Sequence, residues 1–432
     1  MHIGIIGGGI MGLTLGYYLS KTGNTVTIFE KSHKLGGLAG YLNLDGINVD
    51  KYYHGILVSD KFLLQLIDEI GISNSLRFKD VKMAFFYKGK IIPMNNILDF
   101  MKFPPLNISD RIRLGYTIIN SLLIKDWTQL EKISVEKWLI KHSGKRTYEN
   151  IWKPLLKAKF DKNFDQIPAT YVWSRIKRMR APRRKGMSKT CMAYLIEGMK
   201  TLIDGLEKKI YENNGKIYLK NPIKKILINN NQTIGLQTKD NVYFFDKIVV
   251  TIQTPYFIEL LPTYQNEYIK KLKSIKYLHV ICLLLKLKEP LSEFHSFHIT
   301  DDKIPFTTIV ETTNLIDPKY LNGSHIVYLP KYVREDNNFF KMSGNEIYKC
   351  FIEHLKKMFP SFKEKMISKK IILKERYVEP FHEVGINFIP EIITPIKNLY
   401  LANTSQIYPA LVNCESVIEF AKMTAKKILN QS

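Results

Sequence analysis

What the chain lacks narrows its chemistry first. Its four cysteines, Cys191, Cys282, Cys350 and Cys414, are scattered with no CxxC pair. That pattern argues against a disulfide framework or a zinc site and fits a reducing compartment, so no metal is expected. No apolar run approaches the roughly 20 residues of a transmembrane helix. A strand begins at His2, which leads us to expect no signal peptide and a cytoplasmic protein. Acid is scarce, with 40 Asp plus Glu against 64 Lys plus Arg and a formal net charge of +24. Such a balance suits phosphorylated small molecules or peripheral contact with an anionic membrane at its inner face, and the plentiful Lys, Ile and Asn also fit an AT-rich coding bias. No nucleic-acid module is legible, and none is expected as a partner. With 432 residues, 45% hydrophobic and 24% charged, the chain is globular and long enough for two or three cores.

What is present is organised around the first forty residues. His2 to Ile6 is a short apolar run, then come Gly7, Gly9 and Gly12 in GxGxxG spacing. A helical apolar face follows, and then the β-branched strand Thr25–Phe29, ending on Glu30. This order is a dinucleotide clamp. Gly7 permits the tight turn, Gly9 lets the backbone approach a pyrophosphate, and Gly12 lets the helix pack closely on the strand. The helix N-terminus, at Ile10 and Met11, offers amides and partial positive charge to the anion. Glu30 lies about 18 residues beyond Gly12, near the spacing for ribose hydroxyls, and its charge disfavours the 2′-phosphate of NADP. Beyond Lys31 comes a second glycine turn, Gly36-Gly37-Leu38-Ala39-Gly40, for which NAD domains have no general need.

The run from Glu30 through Gly37 resembles the ExxxxxGG extension of the flavoprotein superfamily that holds amine oxidases, protoporphyrinogen oxidases, phytoene desaturases and UDP-galactopyranose mutases. That resemblance implies FAD, with the second turn along its pyrophosphate and beside the isoalloxazine. No His or Cys sits in a flavinylation motif, so the FAD is expected to be non-covalent. Asp50-Lys51-Tyr52-Tyr53-His54 is similar to a DxxYH run in bacterial protoporphyrinogen-oxidase-like proteins often associated with envelope polysaccharide genes. Trp152–Phe160 and Trp173–Arg178 resemble "WxPLLxxKF" and "WxxRI" of the same group, and Val310–Asn314 and Tyr328–Tyr332 also match it. Each of the first two sets a cation beside aromatic rings, which suits an anionic or sugar-like ligand. Asp246–Thr251 resembles the "fDxVVxT" strand, and Ile223 matches a position that contacts adenine through its backbone. The segment Asn398–Pro409, followed by a helix from Asn413, resembles the C-terminal flavin motif, whose helix N-terminus points at the N1/O2 edge. Asn403-Thr404 stands where the superfamily generally has Gly-Asp, and Ala410–Asn413 where it is often rich in Arg, Gly and Asp.

Turn residues and periodicity predict the elements between these motifs. They are a hairpin at Asp45-Gly46, a helix over 59–71 with Ser59 as N-cap and Gly71 as C′, and a strand pair around Lys88-Gly89. Residues 97–127 read as helical substrate-domain core, with Ser109 opening a helix; contact with a lipophilic substrate or a membrane is the other reading. The basic run 178–185 reads as a solvated face. A helix over 198–212 should lead into a meander of strands 216–219, 223–228, 233–238 and 241–245, closed by 247–252. Strands over 277–287 and 297–301, the latter continued by 304–306, a helix over 345–358, a strand over 370–378 and a helix over 413–428 complete the chain.

The expected fold class is α/β. A Rossmann-like FAD-binding domain with a β-meander, of glutathione-reductase type, spans 1–78, 194–258 and 388–432. An α+β substrate domain with mixed sheet and helices spans 79–193 and 259–387. Cofactor contacts are expected at Gly7, Gly9, Ile10, Met11, Gly12, Glu30, Lys31, Gly36, Gly37, Leu38, Ala39, Ile223, Thr251, Asn403, Tyr408, Asn413 and Cys414. His54, Lys159, Arg175, Glu311 and Tyr408 are the expected pocket residues at the junction of the domains. The expected chemistry is hydride transfer between flavin N5 and a CH–NH, CH–CH or CH–OH carbon of a small-molecule or lipid- or nucleotide-linked substrate, in cell-envelope polysaccharide formation. A non-redox sugar mutase similar to UDP-galactopyranose mutase and a non-catalytic flavoprotein scaffold are the alternatives.

Overall fold

The computed structural model describes residues 1–180, 190–262, 267–385 and 388–431. A five-stranded parallel sheet runs in the order Lys216–Tyr218, Thr25–Phe29, His2–Ile6, Lys247–Val250, Leu399–Leu401. Alternation along each strand sends its two faces to different cores. Ile3, Ile5, Val26, Ile28, Val249 and Tyr400 join Leu13, Leu202, Leu206 and Ile418 from the helices Ile10–Ser20, Met199–Glu212 and Cys414–Leu429. Ile6, Phe29, Ile248, Val250, Leu399 and Leu401 face the other way, onto Ile226, Leu236 and Phe245 of an antiparallel meander. Burial on both faces is why these strands read as unbroken apolar runs. Gly4 lies beneath Phe245, and a Cβ there would stand 2.8 Å from the ring.

A second, mixed sheet has seven strands in the order Ile367–Phe381, Lys276–Leu287, His325–Val333, Thr308–Glu311, Ser296–Ile299, Met83–Tyr87, Lys90–Pro93. One face packs Leu283, Leu285 and Leu329 against Phe351 and Leu355 of the helix Gly344–Met358. Cys282, Leu284 and Tyr328 on the other face meet Leu44, Ile47 and Val49 from the hairpin Tyr41–Leu44 and Ile47–Asp50. Asp45 and Gly46 both have positive φ, 55° and 87°, as the tight turn of that hairpin needs. The hairpin that follows the second glycine turn is therefore held between the mixed sheet and the helix Met199–Glu212. Helices drawn from 108–180 form a third core with Leu278 and Phe381, at one end of the two longest strands.

Four expectations need correction. Lys216–Tyr218 is not a meander strand but pairs in parallel with Thr25–Phe29, because the helix Met199–Glu212 acts as a crossover onto the parallel sheet. Residues 304–306 form no strand, and the chain re-enters the sheet at Thr308. Asn107, not Ser109, caps the helix Ile108–Leu123, in a reciprocal box with Asp110. Ser59 does not cap the next helix, Lys61–Glu69, whose N-cap position is Asp60. Of the basic run 178–185, residues 181–185 lie outside the described residues.

The cap of Lys61–Glu69 comes from the far end of the chain. Glu415 accepts from the Phe62 and Leu63 amides at 3.0 and 2.7 Å, while Asp60 accepts from the Leu57 amide and pairs with Arg178. Glu415→Ala strands two helix amides, so it should cost about 1–3 kcal/mol and lower the melting temperature. An unchanged thermal transition in that variant would remove the tie.

Candidate active site

The two glycine turns touch. The Gly36 amide donates to the Gly8 carbonyl at 2.8 Å, and Gly9 and Gly36 form a parallel bridge. Glu30 is buried and clasped at the end of its strand, with Oε2 accepting from the Gly8 amide at 2.7 Å and Oε1 from the Ser32 amide at 2.8 Å. Thr251 donates to the Ile6 carbonyl and buttresses the Gly7 turn, where φ is 109°. Gly9 begins the helix Ile10–Ser20 without any side-chain cap. A Cβ on Gly9 would meet nothing nearer than 4.0 Å. Lys31 lies over the Tyr256 ring, Leu38 is half-buried, Ile10, Met11 and Ala39 are buried, and Ile223 packs in the core under the meander.

At the C-terminal strand end, Asn403 is buried, accepts from the Ser405 amide and donates to the Ile252 carbonyl at 2.9 Å. It ties the ends of two parallel strands together where a Gly-Asp pair was the expected residue type. Asn413 caps the helix Cys414–Leu429, and burial pushes the Cys414 thiol up to about 12. Between these points the chain passes Tyr408, whose hydroxyl lies 2.9 Å from Thr170 and whose ring meets His382 at 4.4 Å and Trp127 at 5.6 Å. This loop forms one wall of a cleft faced by Thr170, Tyr171 and Glu379.

On the Glu379 side sits a cluster of charge and phenol. Lys159 pairs with Glu379 at 2.5 Å and lies 3.3 Å above the Tyr332 ring. Tyr53 lies beside Tyr332, and Tyr171 beside Arg175. Arg175 is exposed, and the chain packed around it nonetheless makes desolvation the largest influence on its charge. Burial lowers its pKa, but Tyr171, Tyr53 and Glu379 outweigh that and the net direction is upward. His298 feels burial and this cation, and falls to about 4.

A second cleft is lined by Asp50, His54, Met199 and Tyr328. His54 Nδ1 lies 2.7 Å from the Tyr52 carbonyl, and burial lowers its pKa, leaving a neutral ring. Asp50 accepts from the Met199 amide at 2.8 Å, and burial pushes its carboxyl up to about 7 from 3.8. A carboxyl raised on folding binds its proton more tightly in the native state, so its contribution to stability falls as pH rises from near 4 through about 7. The melting temperature of the wild type relative to Asp50→Asn should fall across that window and level off above it. A constant difference would mean that Asp50 titrates normally. Glu311 is fully buried, with burial raising it to about 7, and accepts from the Leu291 and Ser292 amides. Its bonds belong to the turn at 291–292, and no described contact joins it to Lys159, Arg175 or Tyr408.

Two glycine turns on a parallel sheet, a meander, and a mixed sheet closing over a C-terminal loop are the architecture that comparison with known proteins also finds. The profile described as flavin containing amine oxidoreductase matches residues 10–429. The chain belongs to that family. Among curated relatives, a 15-cis-phytoene desaturase of Synechococcus elongatus is 21% identical over 99% of this chain and 96% of its own. An oxidoreductase from Methanosarcina mazei superposes with a TM-score of 0.79 at 19% identity, over 99% of this chain and 100% of its own. Reduced UDP-galactopyranose mutase does so with 0.74 at 14%, over 100% and 96%.

As a flavin-containing amine oxidoreductase the chain uses FAD, and its glycine turns fit that cofactor. The uncapped helix start at Gly9, with open space over its Cα and a clasped Glu30 beyond, is what a diphosphate followed by a ribose requires. Tyr53, Asp50, Tyr171, Tyr332, Glu379 and His382 stand beside the expected pocket residues without having been singled out as such. Tyr53 and Asp50 were within reach, because they share the DxxYH run with His54. Glu379 gave no signal: it lies near the end of a 15-residue strand and reaches Lys159 across 220 residues.

Proposed function

We propose that this flavin-containing amine oxidoreductase transfers hydride between FAD and a substrate that carries a carboxylate or phosphate, as in a lipid- or nucleotide-linked sugar. Arg175 carries the reading. Among the described residues it forms no ion pair, and the nearby carboxylate, Glu379, is already taken by Lys159. An exposed guanidinium with no ion-pair partner is available to an anion. Its planar fork suits carboxylate or phosphate oxygens, and Tyr53, Tyr171 and Tyr332 give flat faces for a ring. A bare polyene of the kind a carotene desaturase acts on would leave that charge against hydrocarbon.

FAD, held by the residues from Gly7 to Gly12, Glu30 and Gly36 to Ala39, supplies a two-electron hydride acceptor or donor. Tyr408 with Thr170 shapes one wall of the cleft, Tyr171 and Glu379 line it, and next to these two Arg175 fixes the anionic group, with Lys159 and Tyr332 beside Glu379. His54, in the other cleft with Asp50 and Tyr328, is kept neutral by burial.

The test is anaerobic mixing of the yellow holoprotein with nucleotide-linked sugars, isoprenoid-diphosphate-linked sugars and a carotene, following flavin absorbance. Bleaching by an anionic compound supports the reading. Arg175→Leu should then raise KM for it by about 10- to 100-fold, with little change in flavin content. Bleaching by the carotene, or isomerisation of a sugar nucleotide without net flavin oxidation or reduction, would replace it.

A further inference from the structure

The helix Ile108–Leu123 is built inside out. Its inward face carries Asp110, Thr117 and Ser121, all buried, with buried Leu114 and half-buried Ile118 the large apolar residues among them. Thr117 meets Ser143 at 3.0 Å, and Asp110 pairs with Arg146. The outward face carries Ile108, Ile112, Tyr116, Ile119, Leu122 and Leu123, and four of these, Ile108, Ile112, Ile119 and Leu123, are 60 to 72% exposed. At 100° per residue they fall in one stripe about 120° wide. Leu98 and Met101, on the short helix just before, are exposed as well. A surface helix ordinarily presents the reverse, and an apolar stripe this long marks a contact surface.

Charge says what kind of surface covers it. Exposed Lys102, Arg113 and Lys125 and half-buried Arg111 belong to the same helices and their ends, with Asp126 the exposed acid beside them. The whole chain carries +24. An apolar stripe edged by cations matches an interfacial helix on an anionic bilayer, where the side chains enter the acyl boundary and the cations stay with the headgroups. A second copy of this chain would bring the same cations against these. No helix of the described residues is long and apolar enough to cross the bilayer, so the contact is one of lying on it. Position adds to this: the chain leaves the helix through Trp127, whose ring touches Tyr408 at the cleft wall. The helix also packs on Thr170–Arg180, the element that carries Tyr171 and Arg175.

We infer that the outward face of Ile108–Leu123, with Leu98 and Met101, docks the protein on an anionic lipid surface, next to the mouth through which a lipid-linked substrate enters. The docking stands apart from the substrate reading, because vesicle binding is measured without turnover. Holoprotein should co-sediment with vesicles of about 30% phosphatidylglycerol in phosphatidylcholine, weaken on pure phosphatidylcholine, and weaken again at high salt. Ile112→Glu with Ile119→Glu should lower the bound fraction by about tenfold or more, while flavin content and melting temperature stay unchanged. Ile112→Leu with Ile119→Leu should bind as the wild type does. Equal binding by the glutamate variant, or none by the wild type, overturns the proposal. So does a concentration-dependent dimer in solution that the glutamate variant abolishes, which would give the face to a second copy.

Discussion

Gly12→Val is expected to give a folded or partly folded protein that is colourless. A Cβ at Gly12 falls well inside contact distance of the Gly7 carbonyl oxygen and 3.0 Å from Thr251 Oγ1. The oxygen belongs to the backbone of the first glycine turn and cannot swing aside as a side chain would. The helix Ile10–Ser20 must therefore back away from its strand, and the uncapped amides at its start move off the diphosphate. Retention of FAD should fall by about 100-fold or more, read as the flavin-to-protein absorbance ratio after gel filtration. Far-ultraviolet circular dichroism reports whether the remaining chain holds its fold. Gly115→Ala is the contrast, because nothing lies within 4 Å of a Cβ there. That substitution should raise helix stability by up to about 1 kcal/mol and leave the colour alone. A yellow Gly12→Val protein would mean that the turn is not the diphosphate site.

The same contrast shows what a sequence makes legible. Gly7, Gly9, Gly12, Glu30 and the turn at 36–40 act through local backbone geometry, and local geometry leaves residue types at fixed spacing. The parallel sheet is readable for a similar reason, since strands buried on both faces must be apolar throughout. Long-range partnerships leave no such trace. Glu415 caps a helix that begins at Lys61, and nothing near Ser59 or near Glu415 announces it. Lys216–Tyr218 alternates like its neighbours in the meander, and only the crossover of the preceding helix assigns it to the parallel sheet. Glu311 shows the same limit from the other side. A carboxylate in a strand that resembles a family segment looks reactive, yet two backbone amides and a serine hold it in a turn. Lys159 and Arg175 both sit in segments that resemble the family's, and nothing in the sequence separates them: Lys159 pairs with Glu379, whereas Arg175 forms no ion pair among the described residues.

That difference sets the largest stability effect expected at the site. Lys159 and Glu379 are 15% and 19% exposed at the side chain, so each charge depends on the other for most of its solvation. Removing one partner leaves the other buried and uncompensated, which generally costs about 3–5 kcal/mol, whereas removing both costs much less. Lys159→Met and Glu379→Gln should each lower stability by amounts of that order. The double variant should recover a large share, giving a coupling energy of about 1–3 kcal/mol in urea unfolding. Glu379→Gln exposes the mechanism further, because the freed ammonium still lies over Tyr332 and can turn to the cleft as a second cation beside Arg175. An anionic substrate should then bind tighter to Glu379→Gln than to the wild type, even as the protein becomes less stable. Additive losses in the cycle would show that the two charges act independently, and Lys159 would then be a ligand-binding residue in its own right rather than the partner of a strand carboxylate.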